Sequence, residues 1–349
     1  MILAVDIGTS EFRTLIRNGQ AARAGAAGRL VGRRSAACYI AIPSDPVAEK
    51  WIRRLPVRVL ECEGSRIVLG DSAIELARVL RVPLIPLLVE GRLPLRDPIG
   101  RQLVAISLES LVPPRAAFDE VLMTIPGDDI DPDSPEGAFL SRLFRLQSQT
   151  VRIAHSGTAL AHALLRSSRY TGLVINLGAA YCSISLTRLG QPLMEITAAV
   201  GGRWIDDRLA RSRSRFVFDA GGQRFLDIPG IEAWKRTVDL RSSSKGNPDL
   251  AILADLHREV ARSIAAKIEG ELAVSRRARR FSEAVPVLLA GGGGAMGGFD
   301  ELVRAALSEI SLPFAIRDVE TVGYDSFAVA RGLLIARELG HPGLLKRAA

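Results

Sequence analysis

The stretch Val285-Pro-Val-Leu-Leu-Ala-Gly-Gly-Gly-Gly-Ala-Met-Gly-Gly-Phe-Asp-Glu-Leu302 decides the fold of this chain. Its apolar start, Val285–Leu289, predicts a buried strand, and apolar residues at helical spacing predict a helix over Phe299–Ser308. The glycine run Gly291–Gly294 joins the two. A strand, a glycine loop and a helix in this order bring bare backbone amides and a helix N-terminus close to a ligand. The stretch therefore indicates a nucleotide site, with a tight turn or a flexible loop as the alternative.

The same succession of strand, turn and strand occurs once in each half of the chain. Met1–Val5 predicts a buried strand that ends at Asp6-Ile-Gly-Thr-Ser10, and Phe12–Arg17 predicts the returning strand. Leu173–Ile175 leads in the same way into Asn176-Leu-Gly178 and a second alternating strand. A β-hairpin repeated at the start of each half predicts two lobes of like fold.

Asp6 is a candidate metal ligand. A carboxylate at the end of a strand, followed by glycine and hydroxyl residues, suits a hydrated Mg²⁺ and a phosphate. The reason is that the carboxylate orders the metal ion while the turn amides point at the anion. An ordinary hairpin turn capped by Asp6 is the alternative.

Composition excludes several classes of protein. A length of 349 residues, with 48% apolar and 24% charged residues, predicts a folded protein large enough for two lobes. Aromatic residues make up only 5%, which leaves few stacking platforms for single-stranded nucleic acid. Three cysteines without metal-ligand spacing, Cys38, Cys62 and Cys182, favour a reducing cytoplasm. The sequence shows neither a signal-peptide pattern nor an apolar run of about 20 residues, so no transmembrane segment is predicted.

The net charge of +8 comes mainly from arginine, and two segments are rich in it, residues 208–215 and 276–280. Basic residues stabilise the C-terminal end of a helix, which explains most of the second segment. Contact of this arginine-rich surface with nucleic acid or with an acidic membrane is the alternative.

Several segments, in their order along the chain, resemble the superfamily of actin, DnaK-type chaperones and MreB. Asp6-Ile-Gly-Thr9 and Asn176-Leu-Gly178 are similar to its first and second phosphate loops, and Leu289–Gly293 to its adenosine loop. Glu232-x-x-Lys235-Arg236 looks like the helix of DnaK-type chaperones and MreB whose Glu and Lys pack on adenine and ribose. Further matches are the motif Gly201-Gly202-x-x-x-Asp206 and the terminal helix Asp325–Gly332. The chain is identified as a divergent member of this superfamily, because the matches cover most of it apart from residues 20–85 and 210–230.

The resemblance implies an α/β fold of two ribonuclease-H-like lobes with a nucleotide cleft between them. Lobe I is expected to comprise residues 1–168, with the C-terminal helix 325–339 packing back onto it, and lobe II residues 169–324. The cofactors implied are ATP or ADP and Mg²⁺, and Asp6 would hold the metal ion through water. The residues expected to bind the cofactor are Asp6, Gly8, Thr9, Ser10, Asn176, Gly178, Gly201, Gly202, Glu232, Lys235, Arg236, Gly291, Gly292, Gly293 and Gly294.

The second phosphate loop departs from the family pattern. Relatives usually carry Asp where this chain has Asn176, which cannot supply the charge that helps to hold hydrated Mg²⁺. Tyr181 would place a ring where a small hydroxyl normally meets the γ-phosphate. The segment that usually carries an activating Glu is His155–Leu160 here, and His155 is a candidate for orienting water, with a structural role as the alternative. Slow or absent hydrolysis is therefore expected.

These features predict an ATP-binding, actin-like or chaperone-like protein whose lobes close on nucleotide and so signal to a protein partner. The first alternative is a filament of the bacterial cytoskeletal MreB type or a partition ATPase, for which self-association is expected. The second alternative is a pseudo-ATPase scaffold that binds no nucleotide. A sugar or acid kinase, with Asp128, Asp129 or Asp131 binding the substrate, ranks last. A complete chaperone is not expected, because no peptide-binding domain follows the last helix.

Overall fold

The structure is a computed structural model that describes residues 1–18, 29–42, 46, 50, 52, 54–127, 131–218, 222–275, 281, 283–340, 346 and 347. The strands are β1 (Ile2–Ile7), β2 (Glu11–Arg17), β3 (Leu30–Ala36), β4 (Cys38–Ile42), β5 (Val59–Cys62), β6 (Ser65–Leu69), β7 (Ile85–Pro86), β8 (Glu120–Thr124), β9 (Val151–Ala154), β10 (Gly172–Leu177), β11 (Cys182–Arg188), β12 (Gln191–Ala198), β13 (Phe216–Phe218), β14 (Arg224–Leu226), β15 (Val285–Ala290), β16 (Ile316–Thr321) and β17 (Lys346–Arg347). The helices are α1 (Asp71–Leu80), α2 (Pro98–Ser110), α3 (Pro135–Arg145), α4 (Ser156–Leu164), α5 (Gly202–Ser212), α6 (Ile228–Lys235), α7 (Pro248–Val274), α8 (Gly291–Gly294), α9 (Phe299–Ser308) and α10 (Ala328–Glu338).

Two main sheets share one arrangement, and each forms the centre of a lobe. In lobe I the strand order is β17-β9-β8-β1-β2-β3, and β1 pairs antiparallel with β2 and parallel with β8. In lobe II the order is β12-β11-β10-β15-β16, and β10 pairs antiparallel with β11 and parallel with β15. The two hairpins predicted from the sequence are confirmed, and each contributes a central strand to its sheet.

A smaller sheet accompanies each main sheet. In lobe I the strands β5-β6-β4-β7 form a sheet whose own core, including Ile40, Val68 and Leu76, is covered by α1. In lobe II β13 and β14 form a two-stranded ribbon. The sequence patterns predict β4 and β6 but none of β5, β7, β13 and β14. These four strands are only two to four residues long, too short for an alternating pattern to develop.

Helix α7 supplies the largest face of the lobe II core. Asn247 Oδ1 accepts a hydrogen bond from the backbone N–H of Leu250 at 3.1 Å, and Pro248 occupies the first turn, which is the helix start that the sequence predicts. Although α7 has 27 residues, neither it nor any other helix in the described part of the chain has the length and apolarity needed to cross a membrane. Its buried face carries Leu253, Leu256, Val260, Ile264, Ile268 and Leu272.

Helices α4 and α10 lie between the two main sheets. The core around them joins residues of lobe I, such as Ala4, to residues of lobe II, such as Val174. Gly332 of α10 packs directly on the backbone of Ala159 in α4, and a Cβ atom at this position would collide with the carbonyl oxygen. Helix α10 also contacts β1, β2 and β8. These two helices therefore form the joint between the lobes.

Helix α6 differs from its prediction. The sequence predicts a short helix over Ile231–Leu240, whereas α6 covers Ile228–Lys235. It starts earlier because Asp227 Oδ1 accepts a hydrogen bond from the N–H of Gly230 at 3.0 Å. It ends earlier because the N–H of Leu240 donates to the carbonyl of Gly297 at 2.9 Å, a tertiary contact that takes this stretch out of the helix.

Candidate functional site

The two predicted phosphate loops have the same turn geometry. In lobe I the N–H of Gly8 donates to the carbonyl of Glu11 at 3.1 Å, and in lobe II the N–H of Gly178 donates to the carbonyl of Tyr181 at 2.9 Å. A Cβ atom at either glycine would lie under 3.0 Å from the acceptor oxygen of its own turn. Each loop is therefore a tight turn that needs glycine at its first position.

Asp6 lies at the end of β1 and is almost fully buried. Its Oδ2 accepts a hydrogen bond from Arg13 Nη1 at 2.8 Å, and its Oδ1 accepts one from Thr124 Oγ1 at 3.0 Å. Arg13 Nη2 also donates to Glu11 Oε2 at 2.7 Å. Burial by itself would lower the pKa of Arg13, but Asp6 and the neighbouring groups outweigh it and raise the pKa above its ordinary value. Arg13 therefore remains a permanent cation at the first phosphate loop.

Arg13 is not part of any of the sequence motifs described above. The signal that could have found it is the hairpin register, because Asp6 of β1 lies directly opposite Arg13 of β2. Opposite charges at directly opposed positions of an antiparallel pair attract each other. A hairpin with its turn at residues 8–10 therefore already implies this ion pair.

The glycine run follows β15 and lies beside the second phosphate loop. Gly291 has a φ of +84°, and a Cβ atom there would lie 2.5 Å from Asn176 Oδ1. Gly293 packs in the same way on the side chain of Leu177. Gly292 differs, because a Cβ atom at this position would have no neighbour within 4 Å among the described residues beyond the adjacent ones in the chain. The structure thus brings Asn176 and the glycine run together, and it leaves the backbone of Gly292 facing open space.

The start of α5 packs on the second phosphate loop. The N–H of Gly202 donates to the carbonyl of Gly178 at 2.9 Å, and the N–H of Arg203 donates to the carbonyl of Ala179 at 2.8 Å. A Cβ atom at Gly201 would lie 2.5 Å from the same Ala179 carbonyl. The two predicted glycines therefore allow the helix to approach the loop backbone.

Arg203 also reaches the first phosphate loop with its side chain. Its Nη2 donates to the carbonyl of Thr9 at 3.3 Å, and its Nη1 lies 3.5 Å from the carbonyl of Leu88. Burial lowers the pKa of Arg203 below its ordinary value, although Glu232 acts in the opposite direction. Within the described residues no carboxylate forms an ion pair with it. One residue that the sequence analysis missed therefore touches both phosphate loops.

Lys235 points inward from α6 towards the first turns of α5. Its Nζ donates to Asp206 Oδ1 at 2.6 Å and to the carbonyl of Gly202 at 3.3 Å, and both side chains are buried. Burial raises the pKa of Asp206 to about 6, although Lys235 lowers it. Glu232 instead pairs with Arg236 at 2.6 Å on the exposed side of the helix. The predicted residues Glu232, Lys235 and Arg236 therefore do not converge on one point.

Tyr181 crosses from lobe II to lobe I. A Cβ atom at Gly91 would collide with the ring, and one at Gly127 would lie 3.9 Å from the hydroxyl oxygen. Both glycines have positive φ, at +77° and +103°. The ring therefore lies against two lobe I loops, and together with Arg203 it bridges the cleft between the lobes.

A family model described as Volactin matches residues 1–337. The chain belongs to the Volactin family. No curated protein sequence matches this Volactin-family chain.

Solved structures show which fold the Volactin-family chain has. A MamK double helical filament is 18% identical with a TM-score of 0.67, covering 97% of this chain and 98% of that one. A non-polymerising A278D mutant of MamK bound to AMPPNP is 17% identical with a TM-score of 0.53, and the match covers 97% of this chain and 98% of the MamK chain. MreB5 of Spiroplasma citri bound to ADP is 14% identical with a TM-score of 0.65, and the match covers 98% of this chain and 97% of the MreB5 chain. The two-lobed, actin-like ATPase fold implied by the sequence resemblance is confirmed.

His155 of this Volactin-family chain lies in a polar seam between the lobes. Its Nε2 lies 3.2 Å from the hydroxyl of Thr197, which in turn donates to the carbonyl of Gly127 at 3.2 Å. The seam continues from α4 to β11, where Ser156 Oγ donates to Ser183 Oγ at 2.8 Å. This setting gives His155 a structural role between the lobes, and its role in orienting water stays a prediction.

The arginine-rich surface of lobe II is largely paired. Arg208 forms an ion pair with Glu259 at 3.2 Å, and Arg211 forms one with Asp207 at 2.7 Å. Arg213 and Arg215 both pair with Asp249. Residues 276–280 lie outside the described part of the chain, as do Asp128 and Asp129. The described arginines therefore present little unbalanced charge, and nothing in their arrangement favours nucleic acid or an acidic membrane.

Proposed function

We propose that the cleft binds an adenine nucleotide, ATP or ADP, and that the nucleotide sets how far the two lobes close. The observation that carries this proposal is the setting of Gly292. Its neighbours Gly291 and Gly293 are glycines because protein atoms leave no room for a side chain, whereas no residue that the structure describes restricts Gly292. A glycine whose surroundings are open allows a ligand to approach the backbone closely.

Two further features support nucleotide binding. The predicted adenosine loop is adjacent to Asn176 of the second phosphate loop, and Arg203 connects that loop with the first. Two structural neighbours, MamK and MreB5, are described as bound to AMPPNP and to ADP.

Hydrolysis is slow or absent in this proposal. Asn176 provides no negative charge, and the segment His155–Leu160 contains no carboxylate. Phosphoryl transfer depends almost entirely on positioning and on electrostatic stabilisation, so the loss of these groups removes most of the rate enhancement. Binding and lobe closure, rather than turnover, then carry the function.

Closure follows from the two groups that bridge the cleft. Tyr181 packs on Gly91 and Gly127, and Arg203 binds the carbonyl of Thr9. A phosphate group that enters between the two loops must displace or replace these contacts. The nucleotide therefore interacts differently with the open and closed forms, which is the condition for shifting their equilibrium.

The first experiment is a thermal shift with ATP and with ADP, each in the presence of Mg²⁺ and in EDTA. A ligand at 100 times its dissociation constant stabilises the folded state by about 2.7 kcal/mol, or a few degrees for a chain of this size. The variant Gly292→Asp should lose the shift, because its carboxylate occupies the approach to the backbone and repels phosphate.

The matched control is Gly270→Asp, which adds the same charge at an exposed glycine of α7 where, outside the helix itself, no described residue lies within 4 Å of a Cβ atom. This control should keep the full shift. If wild type shows no shift under any of the four conditions, the proposal fails and the non-binding scaffold is the better account.

Self-association into filaments is a second candidate, favoured by the similarity to the MamK filament subunit over 97% of this chain. Sedimentation at increasing protein concentration, with and without nucleotide, tests it. A filament requires a sharp critical concentration for pelleting, and a monomer at every concentration contradicts it.

A further inference from the structure

The residues that would hold Mg²⁺ in the proposed nucleotide site do not fit the ion. Both oxygens of Asp6 accept hydrogen bonds, and the Arg13 guanidinium lies 2.8 Å from one of them. A cation at this distance neutralises the carboxylate and repels a second cation. Asn176, the equivalent residue of the second loop, carries no charge, and Mg²⁺ in such sites is held by carboxylates together with substrate phosphates. Among the described residues no cluster of three His, Cys, Asp or Glu side chains offers another metal site.

Arg203 supplies a positive charge at the point where the ion would be needed. Its backbone N–H donates to the second phosphate loop at Ala179, and its guanidinium donates to the first at Thr9. Its acceptors in the cleft are neutral carbonyl oxygens at 3.3 and 3.5 Å. A guanidinium has five N–H donors in a planar fork that matches phosphate oxygens, so donors remain for an anion. Burial also makes an anionic partner more favourable for this side chain than it would be in water.

We propose that the cleft binds its nucleotide without Mg²⁺, and that Arg203 is the cation that receives the phosphate groups. This inference rests on the proposed function and names the charged form of the ligand that the site takes. A metal-free nucleotide carries more negative charge than its magnesium complex, and a site whose cations are guanidinium groups favours the more negative form. Arg203 would exchange its two carbonyl acceptors for phosphate oxygens.

Calorimetric titration of wild-type protein with ATP and with ADP, in EDTA and in excess Mg²⁺, is the direct test. We expect the dissociation constant in EDTA to equal that in Mg²⁺ within about threefold, or to be lower. The variant Arg203→Gln should weaken binding in EDTA by about tenfold or more, because it loses charge-assisted hydrogen bonds to phosphate.

The matched control for Arg203→Gln is Arg208→Gln. Arg208 lies on the same helix, but its guanidinium pairs with the exposed Glu259 on the surface of lobe II. The control removes the same charge and should leave both dissociation constants unchanged.

A reverse experiment restores the carboxylates. The double variant Arg13→Gln with Asn176→Asp frees Asp6 and places a second carboxylate on the other loop. We expect its nucleotide binding to become dependent on Mg²⁺. The single variant Asn176→Asp is isosteric and should also make nucleotide binding more dependent on Mg²⁺. It replaces the double variant in this test if the double variant does not fold.

The outcomes separate this inference from the proposed function. Wild-type binding only in Mg²⁺ overturns metal-free binding and leaves the nucleotide site standing. Binding in EDTA that Arg203→Gln does not weaken overturns the role of Arg203. The absence of binding in both buffers overturns the proposed function and this inference together.

Discussion

The two hairpins at the cleft share a backbone and differ in their chemistry. In both, the glycine N–H donates to the carbonyl three residues later, and in both the first strand has an antiparallel and a parallel neighbour. The registers place Arg13 opposite Asp6 in one hairpin and Ser183 opposite Asn176 in the other. One hairpin therefore carries an ion pair where the other carries two neutral polar groups.

The difference shows which properties the repeated backbone controls. Strand pairing and one glycine per turn are enough to reproduce the loop, because they satisfy its steric and hydrogen-bonding requirements. The charge that a loop offers to a ligand depends instead on two opposed side chains. In this chain those side chains have diverged while the loops have kept their shape.

Breaking the joint between the lobes should have the largest effect. Gly332→Ala forces a Cβ atom into the carbonyl of Ala159, a backbone atom that cannot move aside without shifting α4. We expect a loss of more than about 4 kcal/mol in the free energy of unfolding, measured with urea. Gly270→Ala, at an exposed helical glycine where no described residue outside the helix lies close to the added Cβ atom, should instead be neutral or stabilising by up to about 1 kcal/mol. Equal effects of the two substitutions would show that α10 does not pack on α4 as described.

The lobe I hairpin contains the ion pair Asp6–Arg13, and a buried ion pair, Asp206–Lys235, lies beside the lobe II hairpin. Lys235→Met leaves the buried Asp206 carboxyl without its partner. Removing one partner of a buried pair costs about 3–5 kcal/mol, and equilibrium unfolding in urea measures it. The double variant with Asp206→Leu should recover most of that loss. A cost below about 1 kcal/mol for Lys235→Met would mean that the pair is solvated.

Two buried groups of lobe II make opposite contributions to the pH dependence of stability. Burial lowers the pKa of His257 to about 4, so the unfolded chain binds more protons and stability falls as the pH drops through 6.5 towards 4. Burial raises the pKa of Asp206 to about 6, so the folded chain binds more protons than the unfolded chain below that pH. Asp206 therefore adds to stability as the pH falls through 6, and this contribution is lost as the pH rises again. The two effects largely cancel in wild type.

The variant His257→Leu should expose this cancellation. As the pH falls from 7 to 4, the variant should gain up to roughly 3 kcal/mol in unfolding free energy relative to wild type. The reason is that only wild type contains a buried imidazole that must stay neutral in the folded state while it binds a proton in the unfolded state. Urea unfolding at each pH measures it. A difference that stays constant with pH would show that His257 is not buried as a neutral group.

The hairpin glycines give the smallest effect and the closest comparison. In Gly8→Ala and Gly178→Ala the new Cβ atom lies 2.8 and 2.9 Å from the acceptor oxygen of the turn. We expect each substitution to cost about 1–3 kcal/mol, with similar values for the two. Thermal or urea unfolding measures both. Clearly unequal costs would contradict the equivalence of the two turns.

Much of the fold could be predicted because its signals are local. The helix predicted over Phe299–Ser308 has the same bounds in the structure, and the cap at Asn247 begins α7 as expected. The repeated hairpins gave the central strands of both sheets. The end of α6 could not be predicted, because Gly297, far along the chain, provides the contact that replaces helical hydrogen bonding at Leu240.

The loops of the candidate site were predictable from the sequence, and the Asp6–Arg13 pair follows from the hairpin register, but the side-chain contacts across the cleft were not predictable. Glycine patterns show where a backbone turns, so the two predicted phosphate loops coincide with observed turns, whereas the predicted glycine loop over Gly291–Gly294 forms the short helix α8. The contact between Arg203 and Thr9 spans 194 residues and requires the two lobes to be placed together. Tyr181 was expected to fill the phosphate position, whereas its partners in the structure, Gly91 and Gly127, carried no signal that linked them to it.

The position of α10 has a consequence for the order in which the protein is synthesised. All strands of the lobe II sheet lie between residues 172 and 321, so this sheet can assemble as soon as they leave the ribosome. The sheet of lobe I begins at residue 2, yet α10, which covers Ala4, Leu15 and Leu122 with its Leu333 and Leu334, emerges after all of them. The first half of the nascent chain thus waits with an apolar surface uncovered while the second half folds, and such surfaces are the ones that chaperones protect.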